Sequence, residues 1–359
     1  ATLFEKAVTL DTTFVSDYAQ LAMSHALTYW FGIDKSDKRS DKARLAAVRA
    51  MNLDSSNVLA RTAMGYYYYH IERDFTRALT ELESARRANP NNADVLACIG
   101  YVKRRTGEWE EAYRYQKQAL ELDPLSSVTR TNLVETARFM RKFEDADRIG
   151  ARGLELFPEG VDHYVMMAMN LIAKDGDVDG ALRLMDSASS HAPSPSDKDA
   201  LLRLRWFFYL MQRRYEDALA AILGYSRTLA TAEDSADYWT ELADTYYLLG
   251  DSLQSYACYD TARIYIEVLN AQGSAVGGFL PPSLGLVYSR LGEREKAIEA
   301  ARRDTAQLSV SDDAYLGTEP LIDLATTYVR VGEFDKALDI VDTLLSIPSN
   351  LTPAFLRVL

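Results

Sequence analysis

The sequence predicts an all-α solenoid, in which pairs of helices stack one on the next along the chain. Three observations lead to this prediction. A pattern of small and apolar residues recurs about every 34 residues, glycine-containing turns separate the two halves of each pattern, and prolines close several of them. No stretch shows the alternation of apolar and polar residues that is typical of half-buried strands.

The clearest unit of the pattern is 93–126, which predicts two amphipathic helices joined by a tight turn. Gly100 on the first helix and Ala112 on the second mark where the two helix axes approach closely, because axes pack at ~8–10 Å only when the contact side chains are small enough. Gly107 lies in the turn. Pro124 cannot donate a backbone hydrogen bond, so it ends the second helix and precedes the next unit.

Further units follow the same pattern in both directions along the chain. In the unit 15–57, the charged stretch 30–41 (WFGIDKSDKRSD) predicts a long solvated loop between the two helices. The unit 58–92 needs one extra residue in the turn between its helices. The predicted boundaries are a half unit at 1–12, nine full units at about 15–57, 58–92, 93–126, 127–160, 161–195, 199–232, 236–269, 278–311 and 318–351, and a partial helix at 352–359.

The unit 236–269 carries the same signature as 93–126, in the residues Trp239, Leu242, Ala243, Tyr246, Gly250, Tyr259 and Ala262. This combination resembles the tetratricopeptide repeat (TPR), and the resemblance covers nearly the whole chain. It implies a right-handed superhelix in which the first helix of each pair lines a concave groove. It also implies a scaffold that binds proteins or peptides.

Two phrases resemble a narrower group of TPR sequences. The stretch ALTELESARRANPNNADVLACIGYVKRRTGEWEEA and the ending LLSIPSNLTPAFLRVL are similar to the TPR regions of bacterial multidomain signalling proteins, namely adenylate cyclases, serine/threonine kinases and winged-helix regulators. In that group the TPR region is a sensory or interaction module, with the signalling domain N-terminal to it. We therefore expect this chain to be a fragment or a processed product of a longer protein.

The composition favours a protein partner over a nucleic acid. The formal net charge is −12 and the sequence pI is about 5.0, whereas nucleic-acid binders usually carry a basic face. Cys98 and Cys258 are far apart within helical patterns, so we expect two buried thiols rather than a disulfide or a zinc site. No apolar run is long enough to predict a membrane span.

The sequence contains no recognisable catalytic or cofactor-binding motif. The four histidines, His25, His70, His163 and His191, are scattered without the spacing of metal ligands. The glycine-rich stretch 273–279 lacks the lysine of a phosphate-binding loop, and no nucleophile-elbow motif occurs. We expect neither enzymatic activity nor a cofactor nor a bound metal.

The best candidate site is the predicted groove. Under the TPR resemblance, the inward positions of the first helices collect arginine and aromatic side chains, which supply forked hydrogen bonds and contact area for a peptide. The predicted partner contacts are Tyr66, Tyr69, Tyr101, Arg104, Arg105, Arg138, Phe207 and Tyr247, with His70, Phe139, Met169, Met211 and Asp244 on the same face. The alternative for each tyrosine is packing between helices, and for Arg104 and Arg105 it is pairing with local acids.

Two functions follow from the sequence. The first is a non-catalytic scaffold that binds a peptide or a partner domain in its groove. The alternative is structural self-assembly, in which the tail 352–359 of one copy docks on the half unit 1–12 of the next. Such a head-to-tail contact builds a filament if it does not close into a ring.

Overall fold

The computed structural model describes residues 1–191, 194–224, 232–271, 280 and 282–356. Over these residues the chain is α-helical and contains no strand. Consecutive helices pack on each other in pairs, which confirms the predicted all-α solenoid. Contacts divide the chain at Thr129–Arg130 into two compact units, called unit 1 and unit 2 below.

Unit 1 contains seven helices and the start of an eighth. Around α2, α3 and α4 its core consists mainly of alanines, among them the fully buried Ala22 of α2 and Ala47 of α3. Such small side chains let helix axes approach closely. The helices are α1 (Thr2–Leu10), α2 (Val15–Trp30), α3 (Asp37–Leu53), α4 (Val58–Tyr67), α5 (Phe75–Ala88), α6 (Ala93–Arg105), α7 (Trp109–Leu122) and the first residues of α8 (Ser127–Phe139).

Two local features of unit 1 differ from the prediction. The charged stretch 30–41 is a loop only over 31–36, because the Ser36 side chain accepts a hydrogen bond from the Arg39 amide and starts α3 at Asp37. The extra residue of the predicted repeat 58–92 lies in a π-helical turn, Tyr68–Glu72, at the end of the first helix of that repeat. A π turn accommodates one more residue than an α turn because its hydrogen bonds reach one residue further.

Unit 2 continues the pattern of helix pairs. It contains the remainder of α8 and the helices α9 (Phe143–Leu156), α10 (Val161–Asp175), α11 (Val178–His191), α12 (Pro195–Met211), α13 (Tyr215–Leu223), α14 (Ala232–Leu248), α15 (Ser252–Ala271), α16 (Leu284–Arg290), α17 (Arg294–Gln307), α18 (Thr318–Arg330), α19 (Phe334–Ser346) and α20 (Pro353–Leu356). Of the tail predicted to begin one more helix, Pro353–Leu356 forms the helical turn α20, and 357–359 lie outside the described residues.

The turn inside each pair requires a left-handed backbone. Six of these turns use glycine, which adopts a positive φ without steric cost. Three others have arginine at the corresponding place, with φ of 54° at Arg73, 57° at Arg141 and 57° at Arg213. An L-residue pays roughly 1–2 kcal/mol for this conformation. The glycines concerned are Gly32, Gly107, Gly176, Gly250, Gly292 and Gly332.

The two predicted free thiols are confirmed, since Cys98 and Cys258 are both buried and unpaired. Three of the histidines, His25, His70 and His163, are buried as well. Burial lowers the pKa of His70 to about 3, so its imidazole is neutral at pH 7. No helix within the described ranges has the length and apolar character needed to cross a membrane.

Candidate functional site

The C-terminal end of unit 2 returns to the first helices of the same unit. Arg141, in the turn between α8 and α9, donates hydrogen bonds to three backbone carbonyls at this end: Leu344 at 3.3 Å, Ile347 at 3.1 Å and Leu351 at 3.3 Å. Two of these carbonyls lie at or just beyond the C-terminus of α19, where a cation is favoured by the helix dipole. The segment Ile347–Leu356 is called the strap below.

Polar side chains hold the first part of the strap against α8. Arg138 donates to the side-chain oxygen of Asn350, and the Asn350 amide donates to Glu319 at 3.2 Å. The segment before α18 approaches the same helix, because the Tyr315 hydroxyl donates to Glu135 at 2.8 Å. These contacts bury Arg138, which is 3% exposed.

The second part of the strap crosses α10 and α12. The buried Thr352 hydroxyl donates to the backbone carbonyl of Ala173 at 2.7 Å. The ring of Phe355 lies 6.0 Å from that of Phe207, within the range of favourable aromatic pairs. The strap is therefore fixed to three successive first helices of unit 2 by main-chain and side-chain contacts.

A cavity of about 650 Å³ lies between the strap and the inner faces of unit 2. This volume falls within the ~300–1,000 Å³ typical of ligand sites. Most of its wall is apolar and comes from α12, α14, α18, α19 and the strap. Representative side chains are Phe207, Leu210, Ile322, Val329, Leu344 and Leu351.

The polar part of the cavity wall is mainly basic. Arg213, Arg290 and Arg330 line it together with one carboxylate, Asp244. Arg330 forms an ion pair with Asp244 at 2.9 Å, and the Tyr259 hydroxyl donates to the same carboxylate at 2.5 Å. Asp244 is thus already neutralised by its neighbours, and the remaining charge of the wall is positive.

Arg290 has an unusual environment. Its guanidinium carbon lies 3.7 Å from the centre of the Tyr247 ring, a cation–π arrangement that holds the side chain in place. Its Nε is shielded from solvent and has no hydrogen-bond partner. A buried donor without a partner loses its hydration and gains nothing in return.

Carboxylates that lie outside the cavity wall form a second electrostatic feature of unit 2. Burial raises the pKa of Asp323 on α18 to about 7, and repulsion from Glu319 and Asp304 adds to the effect while Arg330 opposes it. Burial raises the pKa of Glu319 as well. Within the described part of the chain, no three His, Cys, Asp or Glu side chains are grouped so as to hold a metal ion.

The predicted contacts in unit 2 lie at different places. Phe207 lines the cavity, as do the inward positions Met211 and Asp244. Tyr247 is 48% exposed and lies under Arg290. Arg138 is covered by the strap. None of these positions has been tested for partner binding, so their role as contacts stays a prediction.

The predicted contacts in unit 1 are largely buried. The Arg105 side chain donates to the Tyr69 hydroxyl at 3.3 Å and lies 5.1 Å from the centre of the Trp30 ring. Tyr69, Arg104 and Arg105 are each less than 5% exposed. Tyr101 is partly buried, and burial raises its pKa to about 12. In this conformation the three buried side chains pack inside the unit and do not present a surface to a peptide.

Tyr66 lines a smaller pocket of about 210 Å³ in unit 1. Side chains from α2 and α4 and the beginning of α6 form its wall, among them Ser24, Thr62 and Asp94. Burial raises the pKa of Tyr66 well above its usual value. This pocket is the part of the predicted groove in unit 1 that keeps an open space.

Arg141 and Arg290 are not among the predicted contacts. Arg141 carries a detectable signal, since it stands at the turn position where most other pairs have glycine. Arg290 is the last residue of a first helix, two residues before the turn glycine Gly292, and the repeat pattern does not mark its position. The strap has no repeat signature, and its contacts with Arg141 and Ala173 span 206 and 179 residues of sequence.

No family model matches this chain. It is 33% identical over 81 residues to prolyl 4-hydroxylase subunit alpha-1 of Mus musculus, a match that covers 23% of this chain and 15% of the mouse protein. The solved structures similar to it are helical-repeat proteins. A tetratricopeptide repeat protein from Parabacteroides merdae has a TM-score of 0.50 at 16% identity, covering 70% of this chain and 98% of that one. The human IFIT1 dimer with PPP-AAAA has a TM-score of 0.51 at 16% identity, covering 87% and 69%. The fold is that of a TPR solenoid.

Proposed function

We propose that this protein is a non-catalytic interaction scaffold that holds an extended peptide segment against the inner faces of α8, α10 and α12. The observation that supports the proposal is the strap itself. Arg138 and the Ala173 carbonyl already hold the side chains of Asn350 and Thr352 there. Arg141 holds the backbone of the same segment, through the carbonyls of Ile347 and Leu351. Contacts to the backbone suit peptides of many sequences, so the same face is equipped to take a partner in place of the strap.

The size of the site favours a peptide over a partner domain. The strap covers this face with ten residues, Ile347–Leu356, which is the length of a peptide and not of a folded domain. The resemblance of this chain to TPR regions of bacterial signalling proteins supports the same role, as an interaction module of such a protein. The predicted contacts Tyr66 and Tyr101 would belong to a second peptide-binding surface in unit 1.

A labelled peptide with the sequence of the strap, IPSNLTPAFL, tests the proposal. The Phe355→Ala variant of the full chain weakens the strap's own contact with Phe207, so it should bind this peptide about tenfold more tightly than the unchanged protein. Adding Arg141→Gln should remove the binding, because the carbonyls of the peptide lose their donor. Fluorescence anisotropy measures each affinity.

A matched control separates this effect from a general loss of charge. Arg148 on α9 is solvent-exposed and pairs only with its helix neighbour Asp145. Combining Arg148→Gln with Phe355→Ala should leave peptide binding unchanged. If the peptide bound no better to Phe355→Ala than to the unchanged chain, with both variants folded, the proposal would be wrong.

Head-to-tail self-assembly is a second proposal, and one observation favours it. The half unit at the front exposes apolar side chains, with Leu3 79% and Leu10 89% accessible. Its expected partner, the tail, is already packed within its own unit through Thr352 and Phe355. Self-assembly therefore requires the tail to leave that position. A sedimentation profile that stays monomeric at high concentration, even for Phe355→Ala, would contradict it.

A further inference from the structure

We infer that the cavity of unit 2 binds a small amphiphilic anion, a molecule with an apolar body and one acidic group such as a medium-chain carboxylate. This inference goes beyond the proposed peptide binding, because it concerns the open space that Leu351 and Leu356 of the strap help to line and not the position that the strap itself occupies. Three features of the wall support it: its apolar area, its charge and an oriented guanidinium group.

The apolar area of the cavity wall indicates that most of the ligand is apolar. Side chains from separate elements, including Phe207, Ile322, Leu344 and Leu351, face one space without filling it. Cores normally close-pack and leave few voids larger than a water molecule. A cavity of about 650 Å³ with such a wall therefore has room for an apolar chain of around ten carbons.

The charge of the wall sets the sign of the polar group. Asp244 is neutralised by Arg330 and by the Tyr259 hydroxyl, as described above. The guanidinium groups of Arg213 and Arg290 have no carboxylate partner among the described residues. A negative ligand would gain their attraction, whereas a positive one would meet two uncompensated cations.

Arg290 fixes where the acidic group lies. Its stacking on Tyr247 orients the guanidinium, and the side chain lines the cavity. A carboxylate accepts forked hydrogen bonds from a guanidinium, in geometry that lysine cannot reproduce. The acidic group should therefore contact Arg290, with the apolar chain directed toward α18, α19 and the strap.

Three ten-carbon probes separate the contributions of chain and charge: decanoate, decanol and decyltrimethylammonium. Isothermal titration calorimetry of the full chain, below the micelle concentration of each probe, should give saturable one-to-one binding of decanoate. Decanol should bind at least tenfold more weakly, and the cation more weakly again. Each CH₂ removed from the carboxylate should weaken binding about fourfold, the equivalent of ~0.8 kcal/mol of transfer free energy.

Variants assign the contact to Arg290. Arg290→Gln should weaken decanoate binding by tenfold or more and leave decanol unchanged, because only the charged hydrogen bonds are lost. Arg290→Lys should give an intermediate affinity. Arg183→Gln is the matched control, since Arg183 on α11 is 71% exposed and lies away from the cavity wall; it should change nothing.

A substitution that changes only the size of a side chain tests whether the ligand lies in this cavity. Ala325 lies on the cavity wall, and Ala325→Leu should reduce the affinity for decanoate and decanol alike by occupying the space of the chain. Three results would overturn the inference: no saturable binding of decanoate, equal affinity for the three probes, or unchanged decanoate affinity in a folded Arg290→Gln variant.

Discussion

Arg141 donates a hydrogen bond to the carbonyl of Ile347 at 3.1 Å, although the two residues are 206 positions apart in sequence. The same guanidinium reaches two more carbonyls at the end of the chain. Arg141 also adopts a left-handed backbone that glycine would take at lower cost. Its side chain thus has a structural role that offsets an unfavourable main-chain conformation.

The first prediction compares two arginines in the same left-handed turn conformation. Arg141→Gly should lower the free energy of unfolding by at least about 2 kcal/mol, because its three hydrogen bonds from a charged donor contribute roughly 1.5–3 kcal/mol each and the relief of backbone strain returns only about 1–2 kcal/mol. Arg213→Gly should raise it by up to about 1 kcal/mol, since its side chain donates no hydrogen bond in the described structure. Urea unfolding measures both, and shifts of the same sign would contradict the argument.

The second prediction concerns the attachment of the strap to α10. Thr352→Val keeps the shape of the side chain but removes the donor to the Ala173 carbonyl and the acceptor for the Phe355 amide. We expect a loss of about 1–3 kcal/mol, because the buried carbonyl is left unpaired. Thr343→Val is the control, since Thr343 is exposed and bonds only within its own helix. Thermal unfolding should separate the two variants by several degrees.

The third prediction concerns close helix contacts. A methyl group on Gly285 would lie 2.6 Å from the Ala301 side chain and 3.0 Å from the Ala297 carbonyl, so the backbone of α17 would have to move. Gly285→Ala should therefore cost roughly 1–3 kcal/mol through overpacking. At Gly65 the nearest atoms belong to the Leu82 side chain, which can rotate, and alanine favours the helix by about 1 kcal/mol. Equal losses for Gly285→Ala and Gly65→Ala would count against this explanation.

The fourth prediction concerns pH. The pKa of Asp323 in the folded protein is about 7, above the ordinary value of 3.8, so the folded state binds the proton more tightly than the unfolded state does. The resulting stabilisation is fully present below about pH 4 and is lost as pH rises through 7. Asp323→Asn removes this titration. Unfolding at pH 5, 6, 7 and 8 should show a smaller decrease for the variant than for the unchanged chain, and a parallel decrease would contradict the assignment.

The repeat architecture could be predicted because its determinants are local. Gly107, Ala112 and Pro124 each specify a turn, a close contact or a helix end within one unit. The inward positions Phe207 and Met211, which line the cavity, were also identified, because the TPR resemblance implies which face of each first helix points inward.

The packing of the strap against the inner faces of unit 2 could not be predicted from the sequence. The strap contacts Arg138, Arg141 and Ala173 across more than 170 residues, and pairs so distant leave no periodic pattern in a single sequence. The burial of Arg104 and Arg105 could not be predicted either. The sequence pattern of an arginine on an inner face is the same whether its side chain contacts solvent, a ligand or a neighbouring aromatic ring.

The return of the strap also has a consequence for the order of events during synthesis. Helical repeats ordinarily fold as neighbours emerge, because each unit contacts only the adjacent ones. Here the carbonyls that Arg141 binds are added about 200 residues later, which at ~5–20 residues per second is a delay of roughly 10–40 s. The inner faces of α8 and α10 therefore emerge from the ribosome before the strap that covers them has been synthesised. For that interval a chaperone or another nascent chain can reach a surface that the finished protein covers.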